Sequence, residues 1–359
     1  IATTSISDAN GVALTIGDLF STVQGQIGDR ATIEGILDHL SDYASMARRG
    51  NGSVTIPVIK GKASKATDLC LRFDALMAVR GQILSEIRET IRWGYVHATE
   101  PEKRVSGTPG RSIVDIDPHL NFVDALFGEL LAARERRLRP VEFFTTNYDT
   151  LIEDALSLRG IPYVDGFRGG AVGYWDHSVY PEAAEVGSSL RANVTKIHGS
   201  IDWALAPDQR IIRRRIGDLY PGGGDGREVL IYPQATKYEF VRREPFDSLF
   251  QRFRAVMTRN IAQVLFICGY GFGDEHVDRE LEEALARHGS QLTVVAFSQH
   301  RNEKLKSWGE RAFGERLYVL SEEGAWRGTK GPYLKKNQGR DWWRFDGMTA
   351  LVRSGGRST

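Results

Sequence analysis

The chain has 359 residues, 47 of them Lys or Arg and 46 Asp or Glu, for a formal net charge of +1. That balance removes the electrostatic drive of a DNA-coating or membrane-surface protein, so any nucleic-acid contact has to be local. Apolar residues make up 41%, or about 48% when Gly is counted in place of Tyr, the ordinary globular value, and no apolar run approaches the roughly 20 residues that cross a bilayer.

Two cysteines, Cys70 and Cys268, build neither a disulfide framework nor a four-cysteine zinc site, and they point to a reducing, cytoplasmic setting. The start at Ile1, with no Met and no charged-then-apolar leader, reads as a fragment lacking a signal peptide. Ile33, Ile36, Leu37 and Leu40 recur at helical spacing after Asp29 and predict a helix over 32–43. A longer helix is expected over 66–95, striped by Leu69, Phe73, Leu76, Met77, Ile83, Ile87 and Ile91 with Gly81 in its middle. A third is expected over 119–134. These helices carry structure rather than chemistry.

After Pro140 the pattern changes to short apolar runs at 141–145, 194–197, 229–232, 264–268, 292–297 and 317–320, which read as buried strands. Helical stretches at 150–158, 245–260 and 276–287 lie between them. Alternation of this kind predicts an α/β fold: a Rossmann-like parallel sheet with helices on both faces, plus a helical insertion or small module. The chain is read as one domain over 1–359, with a mostly helical module over 28–135, a Rossmann-like core over 140–322 and a C-terminal extension over 323–359. In such sheets ligands bind beyond the carboxyl ends of the strands.

Three strand ends carry candidate chemistry. The first runs into Thr145, Thr146, Asn147, Tyr148 and Asp149, where a helix N-cap would by itself explain the polar residues. The second runs into His198, Gly199 and Ser200, and a lone histidine there is commonly structural. The third runs into Gly269, Tyr270, Gly271, Phe272, Gly273 and Asp274. Glycines at alternate positions let main-chain N–H groups approach a ribose or phosphate at a helix N-terminus, although the spacing is not GxGxxG.

Together these ends resemble the sirtuin family, and specifically its bacterial sirtuin-like branch. The resemblance rests on FTTNYD at 144–149, DGF at 165–167, KIHGS at 196–200, LIYP at 230–233 and FICGYGFGDEHV at 266–277. The nearest pattern is the sirtuin-like subunit that pairs with a HerA-type hexameric ATPase in bacterial anti-phage defence. The resemblance implies Asn147 and His198 as the catalytic pair and Asp149 facing the nicotinamide carboxamide. It places Gly269, Gly271 and Asp274 among the cofactor contacts, with Thr145 and Thr146 nearby. It also implies NAD as substrate, a homo-oligomer, and that HerA-type partner; direct DNA binding is left open. Two departures stand out. The family's opening GAGxS phosphate loop either lies upstream of Ile1 or is reduced to an altered remnant at Thr4-Ser5, and the zinc module of the deacylating members is absent, which argues against protein deacylation.

The target bond would be the one between nicotinamide and ribose in NAD. Nicotinamide leaves from a pyridinium as a neutral ring, so its departure needs no general acid, unlike the two-carboxylate work of sugar glycosidases. An Asn amide can orient a water or ribose hydroxyl, and a histidine can take the proton. The expected products are ADP-ribose and nicotinamide. The alternative is a nucleotide-sensing scaffold that organises a partner ATPase or nuclease ring without efficient turnover. A metal site is not expected: His177, His276 and His300 have no partner at ligand spacing, and Asp149, Asp154 and Asp202 are scattered in sequence. Residues 210–218 (RIIRRRIGD) are expected as a solvated basic loop, Trp342-Trp343 as a packed pair, and 326–344 as an extended surface segment.

Overall fold

The computed structural model describes residues 5–7, 13–27, 33–58, 67–96, 98, 104–130, 139–181, 191–206, 208, 210–215, 228–230, 244–333 and 341–355. Two sets of parallel strands form its centre. In the first, Val141–Thr145 lies beside Ala192–Lys196, which pairs on its other side with Tyr163–Val164. In the second, Gln263–Cys268, Leu292–Phe297 and Leu317–Ser321 run parallel in that order, and the antiparallel Gly324–Arg327 closes the edge. Val, Phe, Leu and Thr are the commonest residues of these runs, mostly side chains that fit a pleated, buried surface. The helices Leu151–Leu158, Phe246–Met257, Glu275–Ala286 and Glu303–Glu310 alternate with them in sequence, so the fold is the α/β arrangement expected.

Successive side chains of a strand point to opposite faces. On Val141–Thr145, Val141 and Phe143 pack in a cluster with Leu126, Leu156 and Val352, while Phe144 packs with Phe253 and Ile267 in another. Helices therefore cover both faces of this strand. In the second set, Val294 and Ala296 share the latter cluster with Leu281, Leu305 and Trp308. Val264, 62% exposed, and Phe266, 45% exposed, leave the opposite face of their strand open among the described residues.

A five-stranded antiparallel sheet stands beside this core, in the order Glu228–Leu230, Gly199–Leu205, Ile211–Arg214, Val172–Trp175 and Phe167–Gly169. It corrects the reading of 210–218 as a solvated loop. Ile211–Arg214 is a strand of this sheet with Arg213 and Arg214 buried, and Arg213 is ion-paired to Asp165. A basic strand can be buried because a buried carboxylate faces it. Residues 216–220 and the LIYP residues 231–233 lie outside the described residues.

The N-terminal part also differs from expectation. Residues 67–72 are a strand, Thr67–Arg72, paired antiparallel with Ser53–Val58, and the helix is confined to Phe73–Trp93. Period-two alternation across Leu69 and Leu71 outweighed a helical stripe that properly begins at Phe73. The helix foreseen over 32–43 runs as Ile33–Arg49. The one foreseen over 119–134 is an α-helix Asp117–Val123 continued by π-helical turns Asp124–Leu130, and 131–138 lie outside the described residues. Leu37, Leu40, Ile56, Leu71 and Leu84 form a core with Ile201, against which Tyr148 packs, so this module reaches the strand ends. Trp342 donates to the Ser321 carbonyl at 2.8 Å and Trp343 lies under Arg344, the packing expected of that pair. Among the described residues no helix is long and apolar enough to cross a membrane.

Candidate functional site

Strand register decides what meets at the carboxyl end of the first parallel set. Thr145 is paired with Lys196, and the Ile197 N–H donates to the Thr145 carbonyl at 3.0 Å. Asn147 and His198 each follow two residues later, in the segments that leave these two neighbouring strands. Asn147 is exposed, and its N–H donates to Thr145 Oγ1 at 3.0 Å, so the Thr145 hydroxyl is engaged in turning the loop. Thr146 lies half-buried between them.

The rest of that loop is held from behind. The Tyr148 carbonyl accepts from the Ile201 N–H at 2.9 Å and from Ser200 Oγ at 3.3 Å, and the Asp149 carbonyl accepts from Lys196 Nζ. Asp149 Oδ1 accepts from the Leu151 N–H at 3.1 Å, an Asx turn just before the helix, whose N-cap residue Thr150 makes no side-chain cap; the N-cap explanation therefore does not account for this loop. Lys196 is 3.4 Å from Glu153 Oε1, both side chains 3% exposed. Burial drives the Glu153 carboxyl up to about 7 against the opposing pull of Lys196.

The glycine loop is built differently. Gly269 has φ +69° and Phe272 φ +57°, a conformation that a bulky residue holds only when its surroundings impose it. Phe272 is buried with its ring 5.0 Å from Tyr270 and 5.8 Å from Trp308. The turn delivers Asp274 to the start of Glu275–Ala286, where Oδ1 accepts from the N–H groups of His276 at 2.9 Å and Val277 at 3.3 Å. A Cβ at Gly269, Gly271 or Gly273 would meet nothing within 4 Å, so the main chain here is bare toward the loop's open side. A bare main chain lets a ligand approach closely, while the helix N-terminus itself is taken by the Asp274 carboxylate.

The glycine loop meets the turn that follows Ala192–Lys196. His198 Nε2 lies 2.9 Å from Asp274 Oδ2, with the side chains 12% and 10% exposed. The ring N–H does not point squarely at the oxygen, since neither atom completes a hydrogen bond, so we count the contact as electrostatic. Burial pushes the Asp274 carboxyl upward, but His198 and the capped N–H groups outweigh it and hold it down at about 2.

Residues 141–315 match the SIR2-like domain. SIR2-like domains are NAD-dependent enzymes in general, and both loops and the contact between them lie within the matched span. No curated protein matches the chain.

Behind the Asn147 loop lies a cavity of about 240 Å³ lined by Asp149, Asp154, Asp202, Arg215 and Ile201 from the matched span and by Arg92 from the helix Phe73–Trp93, among others. The three aspartates, scattered in sequence, are thus brought together by the fold. Two guanidinium groups share the space with them, and among the described residues no three His, Cys, Asp or Glu could hold a metal. Burial raises the Asp202 carboxyl, with Arg215 Nε 3.9 Å away.

Sequence reasoning passed over Lys196 and Glu153. A lysine inside the apolar run VTKI is the signal that could have found the first, because a buried lysine needs a carboxylate or carbonyl partner. His119 was also missed. Burial lowers its pKa, opposed by the charges of Asp149 and Asp115, and its ring lies 4.9 Å from Phe345; nothing local in sequence announces it. Of the GAGxS remnant, Thr4 lies outside the described residues, and Ser5 begins a short strand, Ser5–Ser7, paired antiparallel with Ala13–Thr15.

Proposed function

We propose that the chain is an NAD glycohydrolase that cleaves the nicotinamide–ribose bond to give ADP-ribose and nicotinamide. The observation that supports this reading is the register of the first parallel set, in which Asn147 and His198 each lie two residues past the paired ends Thr145 and Lys196, while Asp274 of the glycine loop lies beside His198. Departure of nicotinamide leaves positive charge on the ribose, so the residues must orient a water and remove its proton. Asn147, exposed at the loop tip, orients the water. Its oxygen attacks C1′, the C1′–N bond breaks with its electron pair going to nicotinamide, and the water's proton passes to His198. Gly269 and Gly271 present main-chain N–H groups to the ribose and phosphates, and Asp149 faces the carboxamide.

The resemblance of the NYD, HGS and GYGFGDEH blocks supports the finer reading that this hydrolase is a subunit of a bacterial anti-phage assembly with a HerA-type ATPase. NAD is incubated with the chain alone and with that ATPase while nicotinamide is followed. We expect release in the active assembly, and a loss of about 100-fold or more for Asn147→Ala and for His198→Ala. Near-normal turnover in either variant overturns the assignment. No release in any arm turns the reading to a nucleotide-sensing scaffold.

A further inference from the structure

We propose that Asp274 is a positioning residue for His198, binding the Nε2 edge of the imidazole so that Nδ1 is the nitrogen that takes the proton. This rests on the hydrolase reading, and it moves Asp274 from the cofactor contacts to the base.

Geometry separates the two jobs of this carboxylate. Oδ1 caps the helix through the N–H groups of His276 and Val277, and Oδ2 is turned to His198 Nε2 at 2.9 Å. With Asp274 ionised, a proton on Nε2 is favoured and the lone pair is left on Nδ1; when Nδ1 accepts the water's proton, the resulting imidazolium faces a fixed negative charge. The carboxylate stays ionised throughout, so it orients and stabilises without itself taking a proton. That division of labour is the one by which a buried carboxylate serves a histidine base in the serine-protease triad.

The surroundings leave Asp274 as the charge His198 meets. From its own strand, Lys196 is taken up by Glu153 and the Asp149 carbonyl. From the glycine loop, the Tyr270 hydroxyl is 2.8 Å from Asp278 Oδ1 and 3.2 Å from the Asp274 carbonyl, and burial together with those carboxylates keeps it protonated. Asp278 in turn is 3.1 Å from Lys304. From the Asn147 loop, Asp149 has one carboxylate oxygen on the Leu151 N–H. The imperfect alignment of the N–H with Oδ2 fits a contact that tightens when the imidazole becomes charged.

The discriminating variant is Asp274→Asn, because asparagine caps a helix about as well as aspartate but carries no charge. We expect its thermal unfolding to match the parent while kcat for nicotinamide release falls about tenfold or more. KM should change little, and the acid limb of the pH–rate profile should move to lower pH. Asp274→Glu should recover part of the loss. In parallel, the His198 imidazole is titrated by NMR in the whole protein without NAD, parent against Asp274→Asn. A downward shift of its midpoint in the variant supports the pair even if the parent releases no nicotinamide, in which case the hydrolase reading alone falls. An unmoved midpoint, or an unchanged kcat and pH profile in an active enzyme, overturns the role of Asp274. A raised KM at constant kcat returns it to the cofactor contacts.

Discussion

The loop after Val141–Thr145 and the loop after Gln263–Cys268 occupy equivalent places at strand ends, yet they are secured in opposite ways. In the first, the carbonyls of Tyr148 and Asp149 are both taken, by Ile201, Ser200 and the buried Lys196, so its backbone cannot shift without breaking a charged network. In the second, Gly269, Gly271 and Gly273 face open space, and the loop is anchored by the Phe272 ring and by the Asp274 cap. The difference follows from what each has to present. A loop that aims side chains needs a rigid backbone behind it, whereas a loop that offers N–H groups needs that backbone uncovered.

Removing the anchor of the rigid loop should have the largest effect. Lys196→Met keeps the length of the side chain and deletes its charge, leaving Glu153 buried without its partner and the Asp149 carbonyl without its donor. Breaking one member of a buried pair costs about 3–5 kcal/mol. Chemical denaturation should show a midpoint lowered accordingly. A midpoint within experimental error of the parent would mean that the first loop is not secured by this network, and the contrast between the loops would fail.

The same network makes stability depend on pH. Glu153 has its folded pKa raised from 4.5 to about 7. Between those values the folded state holds a proton that the unfolded state has released, so this group's contribution is complete below about pH 4.5 and is lost as pH rises through about 7. Melting curves of the parent and of Glu153→Gln over pH 5 to 8 should therefore diverge in slope. The parent should lose stability relative to the variant as pH rises, and parallel profiles would show that Glu153 does not titrate in this window.

Both loops were visible in the sequence because their residues are contiguous: Asn147 and Asp149 in one run, Gly269 to Asp274 in another. The strands leading to them were legible for the same reason, as short apolar runs with a polar exit. What holds the first loop was not legible, since Lys196 and Ser200 come from one segment and Glu153 and the carbonyls of Tyr148 and Asp149 from another, and only the fold joins them. The strand Ile211–Arg214 was misread because a run of arginines signals solvent until a buried Asp165 is known to face it. The strand Thr67–Arg72 was misread because its leucines also fit a helical stripe that begins one residue later. The pairing of Asp274 with His198 could not be foreseen, because 76 positions separate residues that follow strands of two different sheets and meet at 2.9 Å.

The smallest effects should come from the open loop, and there they separate two reasons for a glycine. Gly269 has φ +69° and no neighbour near its absent Cβ, so Gly269→Ala carries a left-handed backbone cost of about 1–2 kcal/mol without a steric clash. Gly271 has the same open surroundings and no such φ, so Gly271→Ala should leave the denaturation midpoint within about 0.5 kcal/mol of the parent. Whatever Gly271→Ala does to nicotinamide release then reports on how closely a ligand approaches the main chain rather than on folding. A raised KM with an unchanged midpoint is the expected result, and unaltered kinetics would mean that the dinucleotide is bound elsewhere than along this loop.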